Sequence, residues 1–357
     1  MSLQTIGAAS AAAPTATPGA LPAASPLAER PLVEVKDLSV KFVSRDTTVH
    51  AVNGVSFTMM PGEVLCIIGE SGSGKSVTMR ALIQLLPKRR AVVSGAMRVG
   101  DHDIRALSAR QMSDVRGSTI SMVFQEPMTA LDPVYTIGDQ IAETVVRHEG
   151  GSRKAAMARA LELLQVVKVP SAERRLQAFP HELSGGLRQR AMIALALSCR
   201  PSLLLADEPT TALDATVQIQ VLILLRKLQR DLGMGVIFVT HDIGVAAQIA
   251  DKVAVMYAGR IVEYGDVRDV LMRPRHPYTL GMLASTVHGQ PRDKDIEAIP
   301  GSPPDMRRLA RGCSFAPRCR YAEQQCISAA PAASEVTPGH PVACIKASNL
   351  LFTCRAQ

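Results

Sequence analysis

The chain has 357 residues, of which 47% are hydrophobic and 20% charged, so it can bury a substantial core and is not disordered as a whole. Its 40 Lys and Arg against 32 Asp and Glu give a net charge of +8, which suits anionic partners without selecting one. Aromatic residues make up only 3% and Trp is absent, which disfavours the base-stacking surfaces of single-strand nucleic-acid binders. We therefore expect no nucleic-acid partner.

The N-terminal segment, residues 1–30, is rich in Ala and Pro. It lacks the basic start and compact apolar run of a secretory signal, so we predict a disordered tail. No apolar run in the chain approaches the roughly 20 residues needed to cross a bilayer, and we predict no transmembrane helix.

Residues 31–270 alternate short apolar runs with longer stretches of helical period, which predicts an α/β core with parallel strands. The expected strands are Val64–Gly69, Thr119–Phe124, Leu203–Asp207 and Val236–Thr240. The expected long helices are Arg153–Val167 and Val217–Leu232, the second ending at Gly233 as a C-cap. In such a sheet, ligands bind at the carboxyl ends of the strands.

A glycine-rich segment follows the first of these strands and fits the phosphate-loop pattern GxxxxGK[ST]. Its glycines let successive backbone N–H groups turn toward phosphates, Lys75 adds a positive charge, and Ser76 can bind Mg²⁺. We therefore predict that ATP and Mg²⁺ are bound here. The predicted ATP-binding residues of the loop are Gly69, Ser71, Gly72, Ser73, Gly74, Lys75 and Ser76.

Two carboxylates end the apolar run at residues 203–208, where a Walker B element is expected. Asp207 is predicted to hold Mg²⁺, and Glu208 is predicted to polarise the attacking water. Two acids at a strand end can also simply open a turn, but the phosphate loop upstream favours the catalytic interpretation.

Leu183–Arg190 reads LSGGLRQR and resembles the signature of ABC-type ATPases. The resemblance implies an ABC-type P-loop nucleotide-binding domain over residues 31–270, with a helical subdomain at about 126–183. It also implies that Ser184, Gly185 and Gly186 contact the phosphate of a nucleotide held by a partner domain, so that the chain dimerises around two ATP molecules.

Other positions match that family residue by residue. Gln125 resembles the glutamine that contacts magnesium and water, and His241 resembles the histidine that contacts the γ-phosphate. Ala212–Leu213–Asp214 resembles the D-loop, so Asp214 is included in the ATP site. For adenine stacking, the candidates are Phe42 and His50, while Phe42 could equally be a core residue.

Arg275–Thr279 reads RHPYT, and with residues 70–73 and 193–196 it resembles the ATPase subunits of dipeptide and oligopeptide importers over about residues 32–345. This resemblance implies ATP-driven peptide uptake at the cytoplasmic face of the cell membrane. The implied partners are a second homologous ATPase subunit, two transmembrane permease subunits and a solute-binding protein outside the membrane. Uptake of nickel or another small solute, a soluble ABC ATPase and a regulatory ATP-binding module are the alternatives.

The proline-rich segment 271–357 is expected to form a C-terminal extension, and it contains five of the seven cysteines. The resemblance implies a [4Fe–4S] cluster held by Cys313, Cys319, Cys326 and Cys344. Structural zinc and free thiols remain alternatives, and Cys354 could replace the fourth ligand. Cys66 and Cys199 lie in apolar runs and are expected in the core.

Overall fold

The computed structural model of the chain describes residues 30–211, 213–285 and 298–348. The described residues from Pro31 onward belong to one compact unit. The predicted N-terminal tail up to residue 29, Ala212 of the predicted D-loop and Cys354 lie outside the described residues.

The strands are, in chain order, β1 Val33–Val43, β2 Thr48–Met59, β3 Val64–Ile68, β4 Ala91–Val99, β5 His102–Asp103, β6 Ile120–Val123, β7 Leu203–Asp207, β8 Gly235–Thr240, β9 Lys252–Tyr257, β10 Arg260–Asp266, β11 Ser334–Thr337 and β12 His340–Val342.

The α-helices are α1 Lys75–Leu82, α2 Ala109–Val115, α3 Pro127–Ala130, α4 Ile137–Glu149, α5 Arg153–Val166, α6 Ala172–Leu176, α7 Gly185–Ala196, α8 Ala215–Leu232, α9 Ile243–Ile249, α10 Val267–Met272, α11 Pro277–Ala284 and α12 Gln324–Ser328. Short 3-10 helices cover Pro180–Glu182 and Ala316–Arg318.

The strands form two sheets. The smaller sheet has the order β2-β1-β4-β5 and is antiparallel, and the larger has the order β11-β12-β10-β9-β3-β8-β7-β6. In the larger sheet, β9, β3, β8, β7 and β6 run parallel, while β10, β12 and β11 continue it antiparallel. The parallel part puts the carboxyl ends of β3, β6, β7 and β8 at one edge, as a ligand site requires.

Strands β3, β7 and β8 are buried on both faces because each face packs against a different core. Leu65 and Ile67 of β3 point into the core shared with the smaller sheet, whereas Cys66 and Ile68 point into the core shared with the helices. This alternation follows from the two-residue period of a strand. It also confirms that Cys66 is a core residue, as is Cys199.

The four strands predicted from apolar runs are confirmed to within one or two residues, as are both long helices. Asp214 is the N-cap of helix α8, and its carboxylate accepts a hydrogen bond from Val217 N; Gly233, with φ 63, is the C-cap. Glycine suits that left-handed C-cap because it has no Cβ. Within the described part of the chain, no helix has the length and hydropathy needed to span a membrane.

The C-terminal strands are tied to the larger sheet by a buried carboxylate. Glu263 on β10 accepts hydrogen bonds from the backbone N–H groups of Arg275 and His276, at 2.7 and 3.0 Å, and its Oε1 lies 2.8 Å from Nε2 of His340. Glu263 is fully buried, so each of these partners offsets part of its desolvation. This contact fixes β12 and the chain before α11 to the same strand.

Candidate functional site

The phosphate loop connects β3 to α1 at the carboxyl edge of the larger sheet. Gly72 has φ 78 and Gly74 has φ 101, conformations that favour glycine. A Cβ on Gly69 would come within 2.1 Å of the carbonyl oxygen of Met256, and one on Gly74 within 2.4 Å of that of Ala51. Backbone therefore surrounds the loop so closely that only glycine fits at these two positions.

Lys75 is buried at the first turn of α1, and its Nζ donates hydrogen bonds to the carbonyl oxygens of Gly69 and Glu70, at 2.8 and 2.9 Å. Burial lowers the pKa of Lys75, while the carboxylates of Glu208, Asp207 and Glu70 act in the opposite direction. The ammonium group is thus held by the curled loop and surrounded by carboxylates.

Ser76 and Asp207 meet at the end of β7. The Ser76 hydroxyl donates a 2.7 Å hydrogen bond to Oδ1 of Asp207, which is 1% exposed. Burial raises the pKa of Asp207, and the Ser76 hydroxyl and Arg80 oppose that shift. Two oxygen atoms suited to Mg²⁺ therefore lie side by side at the base of the loop.

Glu208 follows β7 directly and has φ 44, a left-handed conformation that is unusual for a residue with a side chain. Its Oε2 lies 3.3 Å from Nε2 of Gln125, 3.3 Å from Nδ1 of His241 and 3.0 Å from the Thr211 hydroxyl. Gln125 follows β6 and His241 follows β8. The three neighbouring strand ends thus bring the predicted catalytic residues together.

These residues enclose one open cleft of about 560 Å³, which we call the phosphate cleft. Residues that line it include Gly72, Lys75, Ser76, Gln125, Glu208 and His241. Ser71 and Ala51 line it as well. Ala51, on β2, was not expected from the sequence, because an alanine in a strand carries no local signal of ligand contact.

The signature residues lie elsewhere. Ser184 is the N-cap of α7 without a capping hydrogen bond from its side chain, and Gly185 and Gly186 form the first turn. A Cβ on Gly186 would come 2.8 Å from Val217 of α8, so these two helices approach closely. Among the described residues that line the phosphate cleft, none comes from this segment or is Asp214.

The candidates for adenine stacking are also placed. Phe42 is partly buried and packs against the core shared by the two sheets, and it does not line the phosphate cleft. His50 precedes Ala51, its N–H donates to Met306 O at 2.8 Å, and its Nδ1 is buried without a partner among the described residues. The core interpretation of Phe42 fits this position.

The predicted [4Fe–4S] cluster was wrong. Cys313, Cys319, Cys326 and Cys344 are free thiols that line one narrow cavity, yet no group of three or more His, Cys, Asp or Glu within the described ranges is arranged to hold a metal ion. Iron–sulfur ligands are thiolates. Burial raises the pKa of the Cys313, Cys319 and Cys344 thiols.

Comparison with known proteins agrees with this geometry. The ABC transporter family matches residues 52–211, and the family described as the oligopeptide/dipeptide transporter C-terminal region matches residues 262–326. The oligopeptide transport ATP-binding protein OppD of Salmonella typhimurium is 46% identical over 315 residues, covering 88% of this chain and 93% of that protein. OppD of Bacillus subtilis is 47% identical over 314 residues, covering 87% of each.

Among solved structures, a dimeric ATP-binding cassette in a post-hydrolysis state with ADP and Pi is similar, with a TM-score of 0.60 and 28% identity. The match covers 66% of this chain and 99% of that one. The family matches, the identities over most of the chain and the shared cassette fold lead to one assignment. The chain belongs to the family of ABC transporter ATP-binding subunits that carry the oligopeptide/dipeptide transporter C-terminal region.

Proposed function

We infer that this chain is the ATPase subunit of an ABC importer that takes up di- or oligopeptides, working at the cytoplasmic face of the cell membrane. The observation that carries this inference is the phosphate cleft. At or beside it lie the buried Lys75, the Ser76–Asp207 pair and the Glu208–His241 pair, in a chain that belongs to this family. ATP hydrolysis is the reaction that this combination serves.

The residues around the phosphate cleft fit a triphosphate with Mg²⁺. Ser73 is 4% exposed, and its hydroxyl lacks a hydrogen-bond partner among the described residues, as expected of a donor that binds a ligand. We propose that the backbone from Gly69 to Gly74 and the ammonium of Lys75 hold the phosphates. Ser76, Asp207 and Gln125 would hold Mg²⁺, which supplies positive charge at the transferred phosphoryl group.

For hydrolysis, we propose that Oε2 of Glu208 accepts a hydrogen bond from the attacking water and orients it. His241 lies 3.3 Å from the same oxygen, lines the phosphate cleft and can hold that carboxylate in place. Gln125, also 3.3 Å from Oε2, can sense both the magnesium shell and the water.

We propose that a partner domain completes the site. The N-terminus of α7 offers the Ser184 hydroxyl and the free N–H groups of Gly185 and Gly186, which suit a phosphate. Because these groups do not line the phosphate cleft of their own chain, we propose that they face the nucleotide of a second, homologous ATPase subunit. Asp214 would lie at that interface.

Membrane coupling is proposed at the helical segment of about residues 126–183. Val134 and Tyr135 are 70% and 54% exposed, and a groove of about 900 Å³ runs beside them, lined partly by Asp139 and Arg147. Exposed apolar side chains next to a charged groove are typical of a docking surface. We propose that two permease subunits dock here, in a complex that also includes a solute-binding protein.

We further propose the division of the chain that this function implies. Residues 31–270 would act as the nucleotide-binding domain, with residues 126–183 as its helical subdomain. Residues 271–357 would form the extension specific to peptide importers.

The test is peptide uptake by the complete importer in lipid vesicles, with its solute-binding protein and Mg-ATP. Lys75→Ala should abolish nucleotide binding and uptake, because no other ammonium group occupies the loop. Lys227→Ala is the matched control, since Lys227 pairs with Asp231 within α8 and is 62% exposed. Full nucleotide affinity and turnover in the Lys75→Ala importer would contradict the assignment.

A further inference from the structure

The phosphate loop contains an acidic residue at its second position. Glu70 follows Gly69, and its carbonyl oxygen accepts a hydrogen bond from Lys75 Nζ at 2.9 Å. Its carboxylate is one of three whose charge acts on Lys75 against the lowering of that pKa by burial. A negative charge that is felt at the lysine is also felt by bound phosphates, which it repels. An anion-binding loop therefore needs something to offset Glu70.

The offsetting charge comes from the C-terminal region, 248 positions later in the sequence. Nη1 and Nη2 of Arg318 donate to Oε2 and Oε1 of Glu70 at 2.9 and 3.1 Å, a bidentate ion pair. The Arg318 side chain is 8% exposed and that of Glu70 is 26% exposed, so water screens this pair less than a surface pair.

Arg318 is itself held rigidly. Its Nε donates to Pro300 O at 2.8 Å, and its guanidinium lies 5.8 Å from the ring centre of Tyr257 and 6.0 Å from that of Phe315. The two aromatic rings and the carbonyl acceptor together restrict the orientation of the guanidinium. The charge is thus presented to Glu70 by packed surroundings.

A second contact from the same region reaches the loop backbone. The Tyr278 hydroxyl accepts a 2.9 Å hydrogen bond from the N–H of Glu70. Tyr278 is fully buried at the start of α11, with its ring centre 4.5 Å from that of Tyr257 and 5.4 Å from that of Phe315. Tyr278 therefore holds the backbone of Glu70, and Arg318 holds its side chain. Both residues pack against the rings of Tyr257 and Phe315.

We propose that Arg318 is a positioning residue for ATP binding: it neutralises and anchors Glu70, so that the C-terminal region sets the nucleotide affinity of the phosphate loop. The proposal rests on the ATPase function inferred above. It gives the C-terminal region a role at the nucleotide site, acting through Glu70 and without direct contact with ATP.

The test compares the affinity of the full-length chain in its assembled importer for the fluorescent analogue trinitrophenyl-ATP. Arg318→Gln should weaken binding roughly tenfold, since it leaves an unpaired carboxylate on the phosphate loop itself. Arg318→Lys keeps the charge and should lose less than about threefold. Arg273→Gln, at a 74% exposed arginine that directly follows α10 and pairs with Asp269, is the matched control and should bind normally.

The decisive comparison is the double variant Glu70→Gln/Arg318→Gln. If Arg318 acts by neutralising Glu70, removal of both charges should bring affinity back to within about threefold of the unaltered chain. KM for ATP in peptide-stimulated hydrolysis should rise and recover in parallel, with kcat changing much less. If Arg318→Gln alone unfolds, folding and binding by the double variant supports the same conclusion, because the Glu70 charge is then the cause of the failure.

Two results would overturn the proposal: normal binding by Arg318→Gln, or a double variant that binds no better than Arg318→Gln. The second result would mean that Arg318 only supports the local fold. Lys75→Ala, measured alongside, separates this outcome from failure of the ATPase assignment. If Lys75→Ala loses binding while Arg318→Gln retains it, only the role of Arg318 is refuted.

Discussion

The Ser76 hydroxyl donates a 2.7 Å hydrogen bond to Oδ1 of Asp207, joining the first turn of α1 to the end of β7 across 131 positions of sequence. Both oxygens suit Mg²⁺, and the buried Asp207 is 1% exposed. The pair joins the element that follows β3 to the end of β7. Here β8 separates β3 from β7.

Asp207→Asn should raise the Mg²⁺ concentration needed for half-maximal ATPase activity by at least about tenfold, because a neutral amide is a weaker ligand than a carboxylate. The amide oxygen can still accept the Ser76 hydrogen bond, so the free energy of unfolding should change little. Magnesium titration of ATPase activity checks this. The control is Asp231→Asn, because Asp231 is an exposed residue that pairs with Lys227. Equal magnesium requirements for both variants would refute the role of Asp207.

Glu208→Gln should lower ATP turnover by about 10²–10³-fold and leave ATP affinity nearly unchanged, because the amide cannot take a proton from water. Thr211, Gln125 and His241 all lie within hydrogen-bond range of this side chain, so Gln at position 208 should keep its place. Single-turnover hydrolysis and equilibrium nucleotide binding are the measurements. Undiminished hydrolysis by this variant would remove Glu208 from the mechanism.

Val134→Asp should uncouple ATP hydrolysis from uptake. Val134 is 70% exposed next to the proposed docking groove, so a charge there should disturb contact with a permease while the phosphate cleft stays intact. We expect near-normal ATPase activity of the paired ATPase subunits and a loss of peptide uptake by vesicles of at least about tenfold. Ile327→Asp, at a 59% exposed position on α12, is the control, and unimpaired uptake by Val134→Asp would place the permeases elsewhere.

Stability should depend on pH through His276, because its complete burial lowers its pKa from 6.5 to about 3. The folded chain holds this ring neutral, and its Nδ1 accepts the N–H of Tyr278 at 3.1 Å. The unfolded chain binds a proton below about pH 6.5, so the stabilisation is complete above that pH and is lost as the pH falls toward 3.

The free energy of unfolding should therefore fall by about 1.4 kcal/mol more between pH 7.5 and 5.5 in the unaltered chain than in His276→Asn, whose side-chain oxygen can still cap α11. Urea denaturation at the two pH values measures the difference. Equal falls in both proteins would show that His276 does not titrate on unfolding.

Much of the nucleotide site can be predicted from local sequence patterns. The phosphate loop at residues 69–76 follows from its glycine pattern, which a short segment of sequence shows by itself. The strands β6, β7 and β8 follow from short apolar runs, and these runs also show which polar residues come at the strand ends. Parallel strands bring their carboxyl ends to one edge. The resemblance to ABC-type ATPases singled out Gln125 and His241, and the strand order then brings both next to Glu208.

Other features were decided only by tertiary structure. The separation of Ser184 from the phosphate cleft, the packing of Phe42 against the core and the burial of the Cys313 thiol all depend on how elements pack, which spacing in the sequence does not specify. The same is true of Glu70 and Arg318, which meet across 248 positions. Local sequence patterns determine hydrogen bonding and burial within an element, whereas a distant ion pair forms only where the completed fold brings two side chains together and excludes water from them.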